Sequence, residues 1–485
     1  MQNMLPVIAV LGGVLMLFAA TMLVPLGFAV LGQDAAVAAY DEAILITFGV
    51  GLALFLACRR HKRELKPRDG FLLVTLVWTV LPAFGALPLM FHIPGLSFTD
   101  AYFEAVSGLT TTGATVLTGL DALPTSINVW RCFMVLIGGM GILVLAVAIL
   151  PLLGVGGAQL FKAETPGPMK DQKLTPRIAE TARGLWTVYF AVALACFGAY
   201  RWAGMGWADA FMHMCSTMGL GGFAAYDASF GAFDSVAIEA VAIVFMLLAG
   251  VNFALYFVAW KRRSLWGVLR DVEARMFLLT LLLAVLGIAA FLTAHGVYPS
   301  FAESLRHAAF NVVSVATTTG FATVDYAQWP IFAPVLMLFL CCFATCAGST
   351  GGGIKMVRAL LLVKAGRREL KRIVHPRAVA PVTLGGAAVG ADVLHSVLAF
   401  MLLYGAVLVG ATMLLLFTGL DVVTAFTAVV ACINNTGPGL GQVGPAANFQ
   451  GLSDFQTWVC SIAMLLGRLE LFSILVLFTQ SFWRK

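Results

Sequence analysis

Four stretches of the chain carry the groups that hold an alkali cation: backbone carbonyls freed by glycine turns, with hydroxyl or amide side chains beside them. They read "SGLTTTG" (107–113), "STMGLGG" (216–222), "SVATTTG" (314–320) and "ACINNTG" (431–437). They align without gaps. The closing glycines are Gly113, Gly222, Gly320 and Gly437, spaced by 109, 98 and 117 residues, and an alanine stands twelve residues before each. Glycine reaches backbone conformations denied to other residues. Rings of carbonyls replace the hydration shell of a monovalent cation. Such oxygens are hard and uncharged, and suit an alkali ion better than a transition metal. The candidate ligand residues are Thr111, Thr112 and Gly113, then Leu220, Gly221 and Gly222. Thr318, Thr319 and Gly320 follow, and last Asn435, Thr436 and Gly437. None of these turns holds a carboxylate, which a ring for divalent ions would use.

These turns need elements to position them. The chain has 485 residues, 60% hydrophobic and only 11% charged, against about 25% charged in soluble domains. Apolar runs long enough to cross a bilayer recur throughout, at about 20 residues per crossing. Spans are predicted at 5–31, 38–58, 70–92, 128–153, 184–203, 235–260, 276–296, 331–362, 391–418 and 456–482. The runs are continuous rather than alternating, which excludes an outer-membrane barrel. The first run lacks a basic leader and a cleavage site and reads as a retained span. Each glycine turn follows an apolar stretch too short to cross. The recurring unit of about 100 residues is therefore span, short re-entrant helix, polar turn, span.

The fold class expected is an all-α polytopic membrane protein. It has ten transmembrane helices with four re-entrant pore loops in pseudo-fourfold arrangement, plus an N-terminal two-helix hairpin. The hairpin covers 1–69, and the four repeats cover 70–183, 184–274, 275–390 and 391–485. Non-helical backbone at membrane depth must be buried in protein or line water. Packing the four turns around one axis satisfies that rule and aims their carbonyls inward.

Charge gives the orientation. Of the 30 Lys and Arg residues, 26 fall in 59–68, 154–184, 260–275, 354–390 and the C-terminal pair. These segments are cytoplasmic by the positive-inside rule, as are both termini. The exceptions are Arg131, Arg201, Arg306 and Arg468. The four turns lie in the alternating, external segments. Basic loops against membrane lipids account for the net charge of +6, and no charge run suggests nucleic acid. The nine cysteines read as small membrane hydrophobes, although Cys342 and Cys346 share a helix face that could take a soft metal. No organic cofactor is expected on this chain.

The segments "SGLTTTGAT", "STMGLGGFAAYD", "SVATTTGFATVD" and "INNTGPGLGQVGP", each inside a span–pore-helix–span unit, resemble the Trk/Ktr/HKT superfamily of potassium transporters. The two extra N-terminal spans and "GSTGGGIKMVR" resemble its TrkH/TrkG branch. The resemblance covers essentially the whole chain. It implies gated, channel-like potassium uptake across the bacterial cytoplasmic (inner) membrane, with one pore per subunit of a homodimer. It also implies a cytoplasmic nucleotide-binding regulatory ring, TrkA-like, as partner. The filter glycines carry over onto Gly113, Gly222, Gly320 and Gly437. In the plant branch a serine at the first position accompanies sodium selectivity, so four glycines favour potassium. The second strand departs from the pattern. Leu220-Gly221 has no hydroxyl to match Thr111-Thr112 or Thr318-Thr319, and less uniform coordination is expected.

Two intramembrane features complete the reading. Gly348, Ser349, Thr350, Gly351, Gly352 and Gly353 interrupt the predicted eighth span. Glycine is costly inside a helix, so an unwound segment is expected. With the family resemblance it reads as a gate below the filter; close helix packing on small residues is the alternative. It is not a phosphate-binding loop, because Ile354 separates Gly353 from Lys355. Arg468 falls near the bilayer centre, where a charge is costly and usually functional. It either stands in or beside the pore as part of the gate, or joins two spans in a buried ion pair. Glu104, His213 and Asn311 are expected to brace the short helices, and Asn434 and Asn435 the fourth turn.

Two function classes remain. One is a gated potassium-conducting uptake protein. The other is a proton- or sodium-coupled symporter, whose midplane carboxylate would be Glu470. No HExxH, Gly-x-Ser-x-Gly or paired intramembrane aspartate is present, and no enzyme is expected.

Overall fold

The computed structural model of the protein describes residues 4–60, 66–148, 178–264 and 266–484. Residues 61–65, 149–177 and Lys485, which hold part of the predicted cytoplasmic charge and the end of the fourth span, lie outside them.

The architecture is a helical, multi-pass membrane fold. Helices α1 (Leu5–Thr21), α2 (Leu23–Gly32) and α3 (Val37–Cys58) form the N-terminal hairpin. Helices α1 and α3 touch at glycine: a Cβ at Gly12 would stand 2.6 Å from the Gly51 carbonyl oxygen. Small residues at such a crossing let two backbones approach inside lipid. The next unit is α4 (Pro67–Gly85), α5 (Leu87–His92), α6 (Phe98–Leu109) and α7 (Thr125–Ala148). It is followed by α8 (Ile178–Trp202), α9 (Trp207–Gly219), α10 (Val236–Gly250), α11 (Phe253–Arg262) and α12 (Trp266–Arg270). Then come α13 (Val272–Ala294), α14 (Phe301–Ala316), α15 (Phe332–Phe343) and α16 (Met356–Val374). The last unit is α17 (Ala391–Phe417), α18 (Val422–Ile433), α19 (Asp454–Arg468), α20 (Phe472–Leu475) and α21 (Gln480–Trp483). A two-residue hairpin, β1 (Thr383–Leu384) with β2 (Ala387–Ala388), is the sheet among the described residues.

The short helices α6, α9, α14 and α18 have 12, 13, 16 and 12 residues. At 1.5 Å per residue they reach roughly 18–24 Å, less than the roughly 30 Å hydrocarbon core. Side-chain caps start three of them: Ser97 accepts from Asp100 N, Ser300 from Glu303 N and Asp421 from Thr424 N. Their last six residues are wholly buried. Of the apolar clusters inside, the two largest are built mainly from α7 to α15 and from the hairpin, α6, α18 and α19.

Three predicted spans are sharply bent or interrupted. The sixth bends by 90° between Gly250 and Phe253. There Asn252 turns its side chain to cap Ala254 N, starting a new helix in mid-span. The eighth, predicted as one run over 331–362, is a twelve-residue helix, a non-helical segment over 344–355, and then α16. The last bends by 104° after Arg468, at the positive-φ pair Glu470 and Leu471. Arg468 is thus the final residue of α19 rather than a mid-helix residue.

Candidate functional site

The four short helices end in the same chain movement. Two residues before each closing glycine the backbone enters the left-handed region: Thr111 (φ 55°), Leu220 (54°), Thr318 (63°) and Asn435 (54°). Non-glycine residues take that conformation rarely. The glycines follow at φ 81°, 64°, 87° and 91°. The N–H groups of the residues between them fold back onto their helices. Thr112 donates to the Ser107 carbonyl at 2.8 Å, Gly221 to Ser216 at 3.0 Å, Thr319 to Ser314 at 2.8 Å and Thr436 to Ala431 at 2.9 Å. With the N–H groups engaged behind, the carbonyls are left in front. The carbonyl oxygens of Thr112, Gly221, Thr319 and Thr436 accept no hydrogen bond among the described residues.

These four carbonyls close into a ring. A Cβ built on Gly113 would overlap the Gly221 carbonyl oxygen, one on Gly222 the Thr319 oxygen, and one on Gly320 the Thr436 oxygen. One on Gly437 would stand 2.8 Å from the Thr112 oxygen. Each glycine therefore packs against the carbonyl of the next strand in chain order, and the fourth returns to the first. Any side chain at these positions would enter the ring, which is why the glycines are needed. A cavity opens onto all four glycines. Rings of this kind supply what a dehydrated alkali cation needs.

The hydroxyls mainly tie the strands in place. Thr110 and Thr112 share a hydrogen bond at 2.8 Å, and Thr110 donates to the Val106 carbonyl at 2.7 Å. Strand three repeats this with Thr317, Thr319 and Val313 at the same distances. Asn435 donates to the Thr112 hydroxyl and to the Met464 carbonyl, both at 3.0 Å, joining strand four to strand one and to α19. Asn434 accepts from the Tyr404 hydroxyl at 3.1 Å and donates to Val430. The Thr111 and Thr436 hydroxyls are buried with no hydrogen-bond partner. The turn of strand two, 219–222, carries no hydroxyl; Thr217, in the last turn of α9, shares a hydrogen bond with the Tyr200 hydroxyl at 2.7 Å, and Leu220 is buried.

Further out, Glu104 accepts from the Val116 N–H at 3.0 Å, and Asn311 from the Thr323 N–H at 3.2 Å. In strand four Thr427 accepts from the Leu440 N–H at 2.9 Å. His213 bonds the Asp209 carbonyl of its own helix.

Directly below strand three lies the segment 344–355. The Thr318 hydroxyl accepts from the Gly352 N–H at 3.0 Å, and Thr345 donates to the Gly352 carbonyl at 2.8 Å. Thr350 donates to the Met218 carbonyl at 3.0 Å, at the end of α9. A Cβ on Gly352 would overlap the Asn434 carbonyl oxygen. Lys355 donates to the Gly351 carbonyl across the loop. The segment also meets the bend of the sixth span, where Phe253 N donates to the Gly348 carbonyl and Cys346 N to Gly250.

Arg468 closes this arrangement. It donates to the Thr350 carbonyl at 2.8 Å and to the Gly138 carbonyl at 3.1 Å. Its partners are backbone carbonyls of the loop and of α7. Beside it Arg358 pairs with Glu470 at 2.8 Å. Gly348, Ser349, Gly351, Gly352, Gly353 and Arg468 line one cavity under the ring, with Lys355 and Glu470.

Two residues that bind the loop were not among the expected ones. Glu273 accepts from Ala347 N at 2.8 Å and Val357 N at 3.1 Å, straddling the loop from α13. In the sequence it stands just before a predicted span and looks like an ordinary boundary charge. Arg358 is buried, and the signal for it was a cation inside a predicted span. Among the described residues no cluster of three His, Cys, Asp or Glu side chains could hold a metal, Cys342 and Cys346 included.

Residues 38–485 match the TrkH family, described as a cation transport protein. The chain is 47% identical over 477 residues to the Trk system potassium uptake protein TrkH of Salmonella typhimurium, covering 98% of each. It is 40% identical to TrkG of Escherichia coli, covering 98% of this chain and 97% of that one. The crystal structure of the potassium transporter TrkH from Vibrio parahaemolyticus superposes with a TM-score of 0.91 at 44% identity, covering 99% of both chains.

Proposed function

The chain belongs to the TrkH family of cation transport proteins, and on that premise we propose that it takes up potassium through a gated, channel-like pore. The observation that carries this reading is the closed ring of four unbonded carbonyls at Thr112, Gly221, Thr319 and Thr436. A potassium ion entering from the external cavity exchanges water oxygens for these carbonyls. Uncharged ligands keep the ion from binding too tightly to leave. The C-terminal ends of α6, α9, α14 and α18 add negative dipole ends beneath the strands.

Below the ring, the 344–355 segment and Arg468 form the gate. The guanidinium opposes a cation electrostatically, while its bonds to Thr350 and Gly138 hold the loop across the path. The bonds from Thr318, Thr345, Thr350 and Arg468 contribute about 1 kcal/mol each. A loop held by a few such bonds is stable at rest and releasable by a partner. That partner is a nucleotide-binding ring of TrkA type on the cytoplasmic face, acting on a homodimer. The protein resides in the bacterial inner membrane with both termini cytoplasmic, surrounded by lipid. Glu470 is engaged by Arg358, which argues against a free midplane carboxylate for proton-coupled symport.

Reconstituted flux tests the reading. Rubidium or potassium uptake into proteoliposomes should exceed sodium uptake and should persist without a proton gradient. Equal sodium and potassium flux would refute the selectivity, and flux that requires the gradient would refute the simple pore.

A further inference from the structure

We propose that Arg131 is a positioning residue for the second filter strand, and that discrimination of potassium from sodium depends on it. The inference rests on the potassium-pore reading above.

Three strands are braced by side chains of their own short helices. In strand three Ser314 donates to the Phe321 carbonyl at 2.7 Å, and Asn311 accepts from Thr323 N while donating to its hydroxyl at 2.9 Å. In strand one Glu104 accepts from Val116 N and from the Thr115 hydroxyl, both at 3.0 Å. In strand four Thr427 accepts from Leu440 N. Strand two has the matching positions and does not use them. Ser216 Oγ, equivalent to Ser314 Oγ, is buried with no partner. His213, nine residues before its glycine like Glu104 and Asn311, leaves Nε2 buried and unpartnered.

The missing bonds come from α7, in the neighbouring unit. Cys132 donates its thiol to the Phe223 carbonyl at 3.5 Å, which replaces the bond Ser314 makes in strand three. Arg131 donates from Nη1 to the Ala224 carbonyl at 3.1 Å, and its guanidinium lies 4.4 Å from the Phe223 ring centroid. Asn128 adds a long bond to the Ala225 carbonyl at 3.5 Å. The same guanidinium donates from Nε to Glu104 at 2.7 Å, from Nη2 to the Thr115 hydroxyl at 3.3 Å and from Nη1 to Asn128 at 3.1 Å. Both Arg131 and Glu104 are fully buried.

One planar group therefore joins strands one and two next to the ring, while Asp227, accepting from Gly119 N at 2.9 Å and Leu120 N at 3.1 Å, joins their outer ends. The rigid fork of a guanidinium holds several acceptors at fixed angles, which the single point charge of a lysine does not. The turn of strand two has no threonine, and its own helix holds it only further out, where Tyr226 donates to Asp209 at 3.2 Å; beside the ring its side-chain support comes from α7. A wall that moves lets the ring contract around the smaller sodium ion. Arg131 prevents that.

The test uses the full-length protein in proteoliposomes and compares wild type with Arg131→Lys and with the neutral double variant Glu104→Gln/Arg131→Gln. Lysine keeps the pair with Glu104, and the double variant leaves no charge buried alone. Rubidium and sodium tracer uptake are measured side by side. In both variants the rubidium-to-sodium ratio should fall about tenfold or more, the scale set by losing one charge-assisted hydrogen bond. A merely structural role lowers both fluxes together and leaves the ratio intact. A ratio within about twofold of wild type in Arg131→Lys would overturn the proposal. So would a double variant that is monodisperse and keeps the wild-type ratio. A wild type that itself shows no potassium preference would refute the pore reading, and this inference with it.

Discussion

The ring and the loop beneath it are both non-helical backbone at membrane depth, yet they are held in opposite ways. The ring is made of four equivalent turns, each locked by N–H groups that return to a short helix and by a glycine fitted against the next strand. The 344–355 loop occurs once, and side chains from several elements fix it: Thr318, Glu273, Arg468 and its own Thr345 and Thr350. Backbone locking in a closed ring, braced from behind at each strand, gives a geometry that resists change. Side-chain attachment gives a geometry that a few bonds can release. The contrast fits a fixed selectivity element above a movable barrier.

Substitution in the ring breaks this comparison most severely. Gly222→Ala and Gly320→Ala each place a methyl group on a carbonyl oxygen of the next strand, at φ 64° and 87°. Potassium uptake should fall about a hundredfold in either, a loss of roughly 2.7 kcal/mol in the barrier to passage. The two should be alike although their strands differ in side chains, because the ring is made of backbone. Rubidium uptake at matched expression reads the effect.

Release of the loop acts in the opposite direction. Arg468→Ala removes two bonds to carbonyls and one buried positive charge. Basal flux without a regulatory partner should rise about tenfold, the equivalent of roughly 1.4 kcal/mol. Unchanged or lower flux in folded protein would show that Arg468 does not hold the barrier. Glu273→Gln keeps the shape but weakens the acceptor for Ala347 N and Val357 N. A leak increased by roughly threefold to tenfold is expected, since hydrogen bonds to charged groups are the stronger kind.

The smallest effect sharpens the boundary between the two regions. Thr318→Val deletes the hydroxyl that accepts from Gly352 N, the direct bond from filter strand to loop. One neutral hydrogen bond is about 1 kcal/mol, so the leak should rise by no more than about fivefold. The rubidium-to-sodium ratio should not change, because the Thr318 side chain serves the loop. A changed ratio would place that hydroxyl in ion selection instead.

The two regions also differed in how far the sequence disclosed them. The four glycine turns are legible because the same local geometry recurs, so Ser107, Ser216, Ser314 and the glycines stand at fixed intervals. The fold class followed from continuous apolar runs and from short stretches unable to cross. The loop was legible as a run of glycines in a span, but its attachments were not. Arg358 and Glu470 are 112 residues apart, and Ala347 lies 74 from Glu273. Pairings of that kind are set by tertiary packing alone. Arg468 looked like a mid-helix charge because nothing in "LLGRLELF" forces a bend; the turn at Glu470 and Leu471 arises where the chain packs around the loop. The bend at Asn252 left a readable sign, a helix-capping asparagine after glycine inside an apolar run. The brace at Arg131 showed only as a cation on the wrong side of the charge count.

The central claim is that the carbonyls of Thr112, Gly221, Thr319 and Thr436 bind the transported ion. Anomalous diffraction from crystals of the protein grown in rubidium tests it most directly. A rubidium peak should stand on the ring axis, equidistant from the four oxygens, and be lost on exchange into sodium. A peak elsewhere with none in the ring, or a ring peak that sodium fails to remove, would contradict it.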